Sequence, residues 1–339
     1  MSENTEKNIL EIRDLNVDLF TERGVLPVLS HINLNLNEGE ILGVVGESGC
    51  GKSMLASAIM GLVDKPGKIS SGDILFNGEN LVTAGKKRLQ EIRGNAISMI
   101  FQEPMTSLNP LMTCGKQITE AILAHRKISR REASSEALEM IRSVGIPMPE
   151  KIFDSIPSRL SGGMRQRIMI AMALCLKPRL LICDEPTTAL DVTVQAQILY
   201  LIKKLRKELK TTVIFISHDM GVISQMSDRV AVMYAGQVVE IADKKAIFSM
   251  PSHPYTVGLE AAIPKMDRDT DTLLSILGSV PMLYELPEGC LFSTRCAHCT
   301  EQCKRQRPEL TILNEAYPDH LVRCINKDRS GLQHSASVS

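Results

Sequence analysis

Residues 46–53, Gly46-Glu47-Ser48-Gly49-Cys50-Gly51-Lys52-Ser53, follow the pattern G-x-x-x-x-G-K-S. Such a run can wrap a chain of phosphates, because glycines let the backbone curl until several N–H groups face one anion. Gly46, Ser48, Gly49, Cys50 and Gly51 supply main chain here. Lys52 is placed to reach the outer phosphates and Ser53 to ligate Mg2+, while a helix starting at this point turns its positive end on the anion. Cys50 adds a thiol beside that helix start and Lys52. This setting is expected to lower its pKa, so that alkylation at Cys50 blocks nucleotide and nucleotide protects; the other reading is a buried, inert thiol.

A second acidic element is Leu180-Leu181-Ile182-Cys183-Asp184-Glu185, an apolar run ending in two carboxylates. At the carboxyl end of a buried strand, Asp184 can hold the Mg2+ shell and Glu185 can orient or deprotonate an attacking water. A third chemistry is gathered near the end of the chain, in Cys290, Cys296, Cys303 and Cys324, with His298 and Cys299 among them. Four thiolates suit an iron–sulfur cluster or a structural zinc. Zinc would exploit the close pair Cys296-x2-Cys299, and unligated thiols are the third reading.

Elements that would position these groups are visible around them. Ile41–Val45 is continuously apolar, as in a strand buried on both faces, and leads straight into the glycine loop and a helix from Lys52 to about Leu62. Ile9–Val17, Val28–Leu36 and Ile74–Asn77 read as antiparallel strands, and Met112–Val144 as helical. Buried strands are predicted at Leu180–Cys183 and Thr212–Ile216, after a helix that begins past Gly163 and the amphipathic helix Val192–Leu209 respectively. Arg229–Tyr234 and Gln237–Ile241 form a predicted hairpin through Ala235-Gly236. Strands separated by helices indicate an α/β sheet with an antiparallel part and a helical insert.

The 339 residues suggest roughly two domains, or one large core with an appendage. Lys and Arg number 39, as do Asp and Glu, so the basic excess of a nucleic-acid binder is missing. No apolar run approaches the roughly 20 residues of a membrane-spanning helix, and the polar start MSENTEKNIL is no secretory signal. A cytosolic chain is expected, and in that compartment nine cysteines argue against a disulfide framework.

The segment Leu160-Ser161-Gly162-Gly163-Met164 resembles the signature of ABC-type ATPases. The order glycine loop, Gln102, signature, Asp184-Glu185, Ala189-Leu190-Asp191 and His218 is similar to the complete nucleotide-binding domain of that family over residues 8–262. The resemblance implies a RecA-like P-loop core with antiparallel β and helical subdomains. It also implies ATP and Mg2+ as ligands, with catalysis by Glu185, His218, Lys52 and Gln102. Gln102 would sense Mg2+ and the water. Ser161 and Gly163 would touch the γ-phosphate of ATP held by a facing domain. Asp191 would span the dimer seam, cap the helix after it, or do both. The family stacks adenine on an aromatic near the first strand; Phe20 is the candidate, although Leu19 holds the expected position. Met164 stands where the family has Gln, with expected consequences for helix-end polarity alone.

His253-Pro254-Tyr255-Thr256 and the run Gly289-Cys290 to Arg295-Cys296 look like the small Cys-rich C-terminal extension of peptide- and nickel-importer ATPases, here residues 263–328 before a flexible tail at 329–339. In that subfamily the four matching cysteines are associated with a [4Fe–4S] cluster, which the resemblance therefore implies here. The implied protein is the peripheral ATPase subunit, on the cytoplasmic face of the inner or plasma membrane, of an importer for peptides. Importers of nickel chelates and ABC ATPases outside transport are the alternatives. Implied partners are a sister ATPase, two transmembrane permease subunits and an extracytoplasmic solute-binding protein, with no nucleic acid; a homodimer stays open.

Overall fold

The computed structural model describes residues 8–22, 24–103, 107–188, 190–263 and 276–327. The chain forms two compact units, one built on residues 10–36, 42–79 and 217 onward, the other on 37–41 and 80–216.

In the first unit, β1 (Asn8–Thr21) lies between β2 (Gly24–Asn37) and β4 (Gly67–Phe76), with β1 antiparallel to β4 from Leu10 opposite Phe76 to Leu19 opposite Gly67. β3 (Ile41–Val45) is buried at every residue, and its pairs from Leu42–Arg229 to Val45–Val232 run parallel to β9 (Arg229–Tyr234). The expected hairpin is present: β9 turns into β10 (Gln237–Asp243) through Ala235 and Gly236, at φ 44° and 79°, the left-handed pair that a tight two-residue hairpin turn requires. Helix α1 (Lys52–Ile59) follows the glycine loop and stops three residues before the expected Leu62.

The second unit carries three parallel strands in the order β8-β7-β6, namely β6 (Ile97–Ile100), β7 (Leu180–Asp184) and β8 (Thr212–Ser217). All of β7 and β8 is buried, which is why both read as unbroken apolar runs. A two-residue strand, β5 (Glu79–Asn80), and α2 (Lys86–Ile92) precede β6 in the chain. The helical insert expected over 112–144 is two helices, α3 (Cys114–His125) and α4 (Arg130–Ser143). The break is made by a capping box. Ser129 Oγ accepts from the Glu132 N–H at 3.2 Å, while the Glu132 carboxylate accepts from the Ser129 N–H at 2.8 Å. Then come α5 (Pro149–Phe153), α6 (Gly162–Leu174) and α7 (Val192–Leu209), the last with the predicted bounds.

Beyond β8 the chain continues in the first unit with α8 (Met220–Met226), α9 (Lys244–Ser249) and α10 (Pro254–Ala261). Residues 276–327 contain α11 (Glu301–Arg305), β11 (Thr311–Ile312) and β12 (Leu321–Val322). β12 pairs with β10 and with β11, so the C-terminal segment extends the sheet that holds β3. Pieces of two residues leave no periodicity in a sequence. Of the expected C-terminal extension, residues 264–275 and 328 lie outside the described residues, as does the whole expected tail 329–339. Among the described residues no helix is long and apolar enough to cross a membrane.

Candidate functional site

The glycine loop leaves β3 at Gly46 and enters α1 at Lys52. A Cβ at Gly46 would lie 2.2 Å from the Met233 carbonyl oxygen and 2.7 Å from Cys50 Sγ, so only glycine permits this path. Ser48 and Gly49 are exposed, whereas Lys52 is buried and its Nζ donates to the Gly46 and Glu47 carbonyls at 2.7 and 3.0 Å. The ammonium therefore spans the loop from within. Ser53 is exposed beside it, and Phe20 on β1 is half exposed.

Cys50 follows the buried-thiol reading and not the activated one. Its side chain is fully buried, and burial pushes its thiol pKa up; the attraction of Lys52, whose Nζ is 3.9 Å from Sγ, acts in the opposite sense and is outweighed. The sequence shows the cation and the helix start but not the wall of the loop that excludes water from the sulfur.

Glu47 is the least expected residue of the loop. Its N–H donates to Tyr255 Oη at 2.9 Å, and its carboxylate takes two contacts from Arg295 Nη1, at 2.9 and 3.1 Å. Tyr255 is buried on α10, and burial pushes its phenol pKa up. The remaining donors of Arg295 meet the carbonyls of residues 276–278, and its guanidinium lies over Tyr234 and Phe292. Sequence reasoning placed Glu47, Tyr255 and Arg295 in motifs but did not bring them together. The available signal was the charge itself, because a carboxylate inside an anion-binding loop calls for a cation held elsewhere.

In the other unit, Asp184 is buried at the end of β7 and Glu185 follows at φ 46°, a left-handed conformation costly for a residue with a side chain. Glu185 Oε2 accepts from Gln102 Nε2 at 3.3 Å and from Thr188 Oγ1 at 3.0 Å, and the Glu185 N–H is tied to the Ile216 carbonyl. The strained turn and these tethers aim one carboxylate at the strand ends, with the predicted Gln102 beside it. Thr188 was not foreseen.

Ser161 caps α6, its Oγ accepting from the Met164 N–H at 3.3 Å, and Asp191 caps α7 by accepting from Val194 at 2.9 Å. A Cβ on Gly163 would come within 2.8 Å of Val194 Cγ1, so the two helix starts are packed together. The cap reading of Asp191 is thereby met; Ala189 lies outside the described residues. His218 is exposed directly after β8, and Asp219 caps α8.

The four predicted thiols, those of Cys290, Cys296, Cys303 and Cys324, line one pocket together with His253 and His298, and Cys299 is not part of its lining. Burial raises the thiols of Cys290 and Cys296 to about 11. Among the described residues no three His, Cys, Asp or Glu side chains converge closely enough to hold a metal ion, so neither a zinc site nor an iron–sulfur site is ready-formed here.

A glycine-built anion loop at a strand–helix junction, with an acidic strand end and a capped signature turn, defines a P-loop ATPase of mixed α/β sheets. Comparison with known proteins agrees. Residues 29–188 match the ABC transporter family model, and 239–303 that of the oligopeptide/dipeptide transporter C-terminal region. The oligopeptide transport ATP-binding protein OppD of Bacillus subtilis is 48% identical over 91% of this chain and 87% of its own length. The dipeptide transport ATP-binding protein DppD of the same organism is 45% identical over 95% and 96%. An ATP-binding cassette solved as a dimer in a post-hydrolysis state with ADP and Pi superposes with a TM-score of 0.62 at 29% identity, covering 69% of this chain and 98% of that one. The chain belongs to the family of ABC transporter ATP-binding proteins, within its oligopeptide and dipeptide branch.

Proposed function

We propose that this chain is the ATP-hydrolysing subunit of a peptide importer and that its site residues divide the work as follows. Main-chain donors of residues 46–51 and the Lys52 ammonium bind the phosphates. Glu185 orients and deprotonates water, Gln102 holds Glu185, and His218 contacts the outer phosphate. Ser53, Asp184 and Gln102 offer oxygen ligands alone, the donor set that suits Mg2+, which when bound neutralises phosphate charge. Ser161 and Gly163 would complete the site of a facing ATPase, Asp191 would lie at that seam, and Phe20 would stack the base.

The observation that carries this reading is the Glu185 carboxylate, held at the end of β7 by Gln102 and Thr188. A general base contributes about 10^2- to 10^4-fold to a rate. Glu185→Gln should therefore keep ATP binding and lose ATPase turnover by that factor in a steady-state phosphate-release assay. Turnover at the wild-type rate would remove Glu185 from the mechanism.

We infer that the facing ATPase is a sister subunit and that the pair sits on two membrane-spanning permeases at the cytoplasmic face, fed by a separate solute-binding protein. The C-terminal cysteines are read as a [4Fe–4S] site held by Cys290, Cys296, Cys303 and Cys324. Their common pocket supports this, as does the position of Cys299 outside its lining. Zinc is the competing occupant.

A further inference from the structure

We propose that Arg295 is a positioning residue of the phosphate loop: delivered from the C-terminal segment, it neutralises Glu47 and holds the loop in the shape that accepts a triphosphate. The inference rests on the reading above, in which residues 46–53 bind ATP, and goes beyond it by making the C-terminal segment part of the nucleotide site.

The argument starts from a conflict of charge. Glu47 sits one residue into a loop whose task is to bind a polyanion, and its carboxylate would repel phosphate oxygens at close range. The structure resolves the conflict with one side chain. Arg295 Nη1 contacts both Glu47 oxygens, at 2.9 and 3.1 Å. The arginine is itself immobilised. Its Nε donates to the Leu277 carbonyl at 2.9 Å, and its Nη2 to Ile276 and Gly278 at 3.3 and 3.1 Å. Only 4% of its side chain is exposed. Tyr234 and Phe292 flank the guanidinium, its carbon 5.7 and 6.0 Å from their ring centres.

Glu47 is thus held from three sides. Its side chain goes to Arg295, its N–H to Tyr255 on α10, and its carbonyl accepts from Lys52. Both outer partners lie on segments remote in sequence from the loop, which gives the turn little freedom to shift. A fully exposed ion pair would contribute little, but here the arginine is buried, the Glu47 side chain is only 30% exposed, and the geometry is fixed. Lys52 shares the Glu47 carbonyl, so a shift of Glu47 displaces the cation meant for the outer phosphates.

The test is equilibrium binding of a fluorescent ATP analogue with Mg2+ to the full chain, alongside thermal unfolding of each variant. Arg295→Ala should raise Kd about tenfold, equivalent to about 1.4 kcal/mol. Adding Glu47→Gln to it should return Kd to within about threefold of wild type, because the unpaired charge is then gone. Arg307→Ala is the control, since Arg307 donates to the Gly289 and Pro287 carbonyls and so braces the same segment away from the loop. It should leave Kd within about twofold while lowering the unfolding midpoint. Should Arg295→Ala fail to fold, Arg295→Gln takes its place with the same expectations. Unchanged affinity in the arginine variant, no recovery in the double variant, or an equal loss in Arg307→Ala would each overturn the inference. A wild-type chain that binds no ATP would instead sink the reading of the loop.

Discussion

Lowering the pH from 7 to 4 should weaken the fold through one buried imidazole, that of His253. The side chain is 2% exposed and caps α10, its Nδ1 accepting from the Tyr255 N–H at 3.1 Å. Protonation would turn that acceptor into a donor facing another donor, inside an apolar wall that includes Phe292, 5.7 Å away ring to ring. Burial pushes the pKa down to about 4, with Arg323 acting in the same sense and Glu240 against it. The unfolded chain takes up the proton near pH 6.5, whereas the folded chain resists until about pH 4. The contribution is therefore full above pH 6.5 and is lost as pH falls through 4. At about 1.36 kcal/mol per pH unit over about 2.5 units, the loss is about 3 kcal/mol. His253→Asn keeps an oxygen for the cap but cannot titrate. Urea unfolding followed by far-UV circular dichroism at several pH values should show wild type losing about 3 kcal/mol more than the variant between pH 7 and 4. Parallel pH profiles for the two proteins would refute the reasoning.

Two further expectations concern the cysteines. In the folded protein Cys50 should resist N-ethylmaleimide at pH 8 and react only after denaturation, as read by mass spectrometry of the peptide; fast labelling of the native protein would contradict its burial. Protein purified without oxygen should be brown with absorption in the visible blue, and replacing Cys290 or Cys303 by Ser should remove that colour; a colourless protein with one zinc per chain would assign the pocket to zinc.

Most of the scaffold was legible because its signals are local. The buried strands β3, β7 and β8 announce themselves as apolar runs, α7 by its period, and the β9–β10 hairpin by Ala235-Gly236. The loop at 46–53 was legible for the same reason, since its chemistry is written in consecutive residues. The failures have several causes. The sequence could not decide between an activated and a buried Cys50, because its burial depends on a wall that includes the Gly46 approach to Met233. The break between α3 and α4 hid in a long helical pattern whose capping box, Ser129 with Glu132, was there to be read. β11 and β12 are too short to leave a pattern, and they join the sheet only through β10.

Glu47 shows what nonlocality does for a nucleotide site. In the sequence it occupies one of the variable places of the loop pattern, where any residue is allowed. In the structure it is the point at which Arg295, Tyr255 and Lys52 meet, so segments about 200 residues and more downstream bear on the geometry of the phosphate loop. The spacing of glycines and a lysine makes a loop able to bind phosphate. How tightly this one does so then depends on residues that only the fold brings beside it. If Arg295 positions the loop as proposed above, a C-terminal segment with little periodicity of its own would persist in such a chain because it completes the anion site.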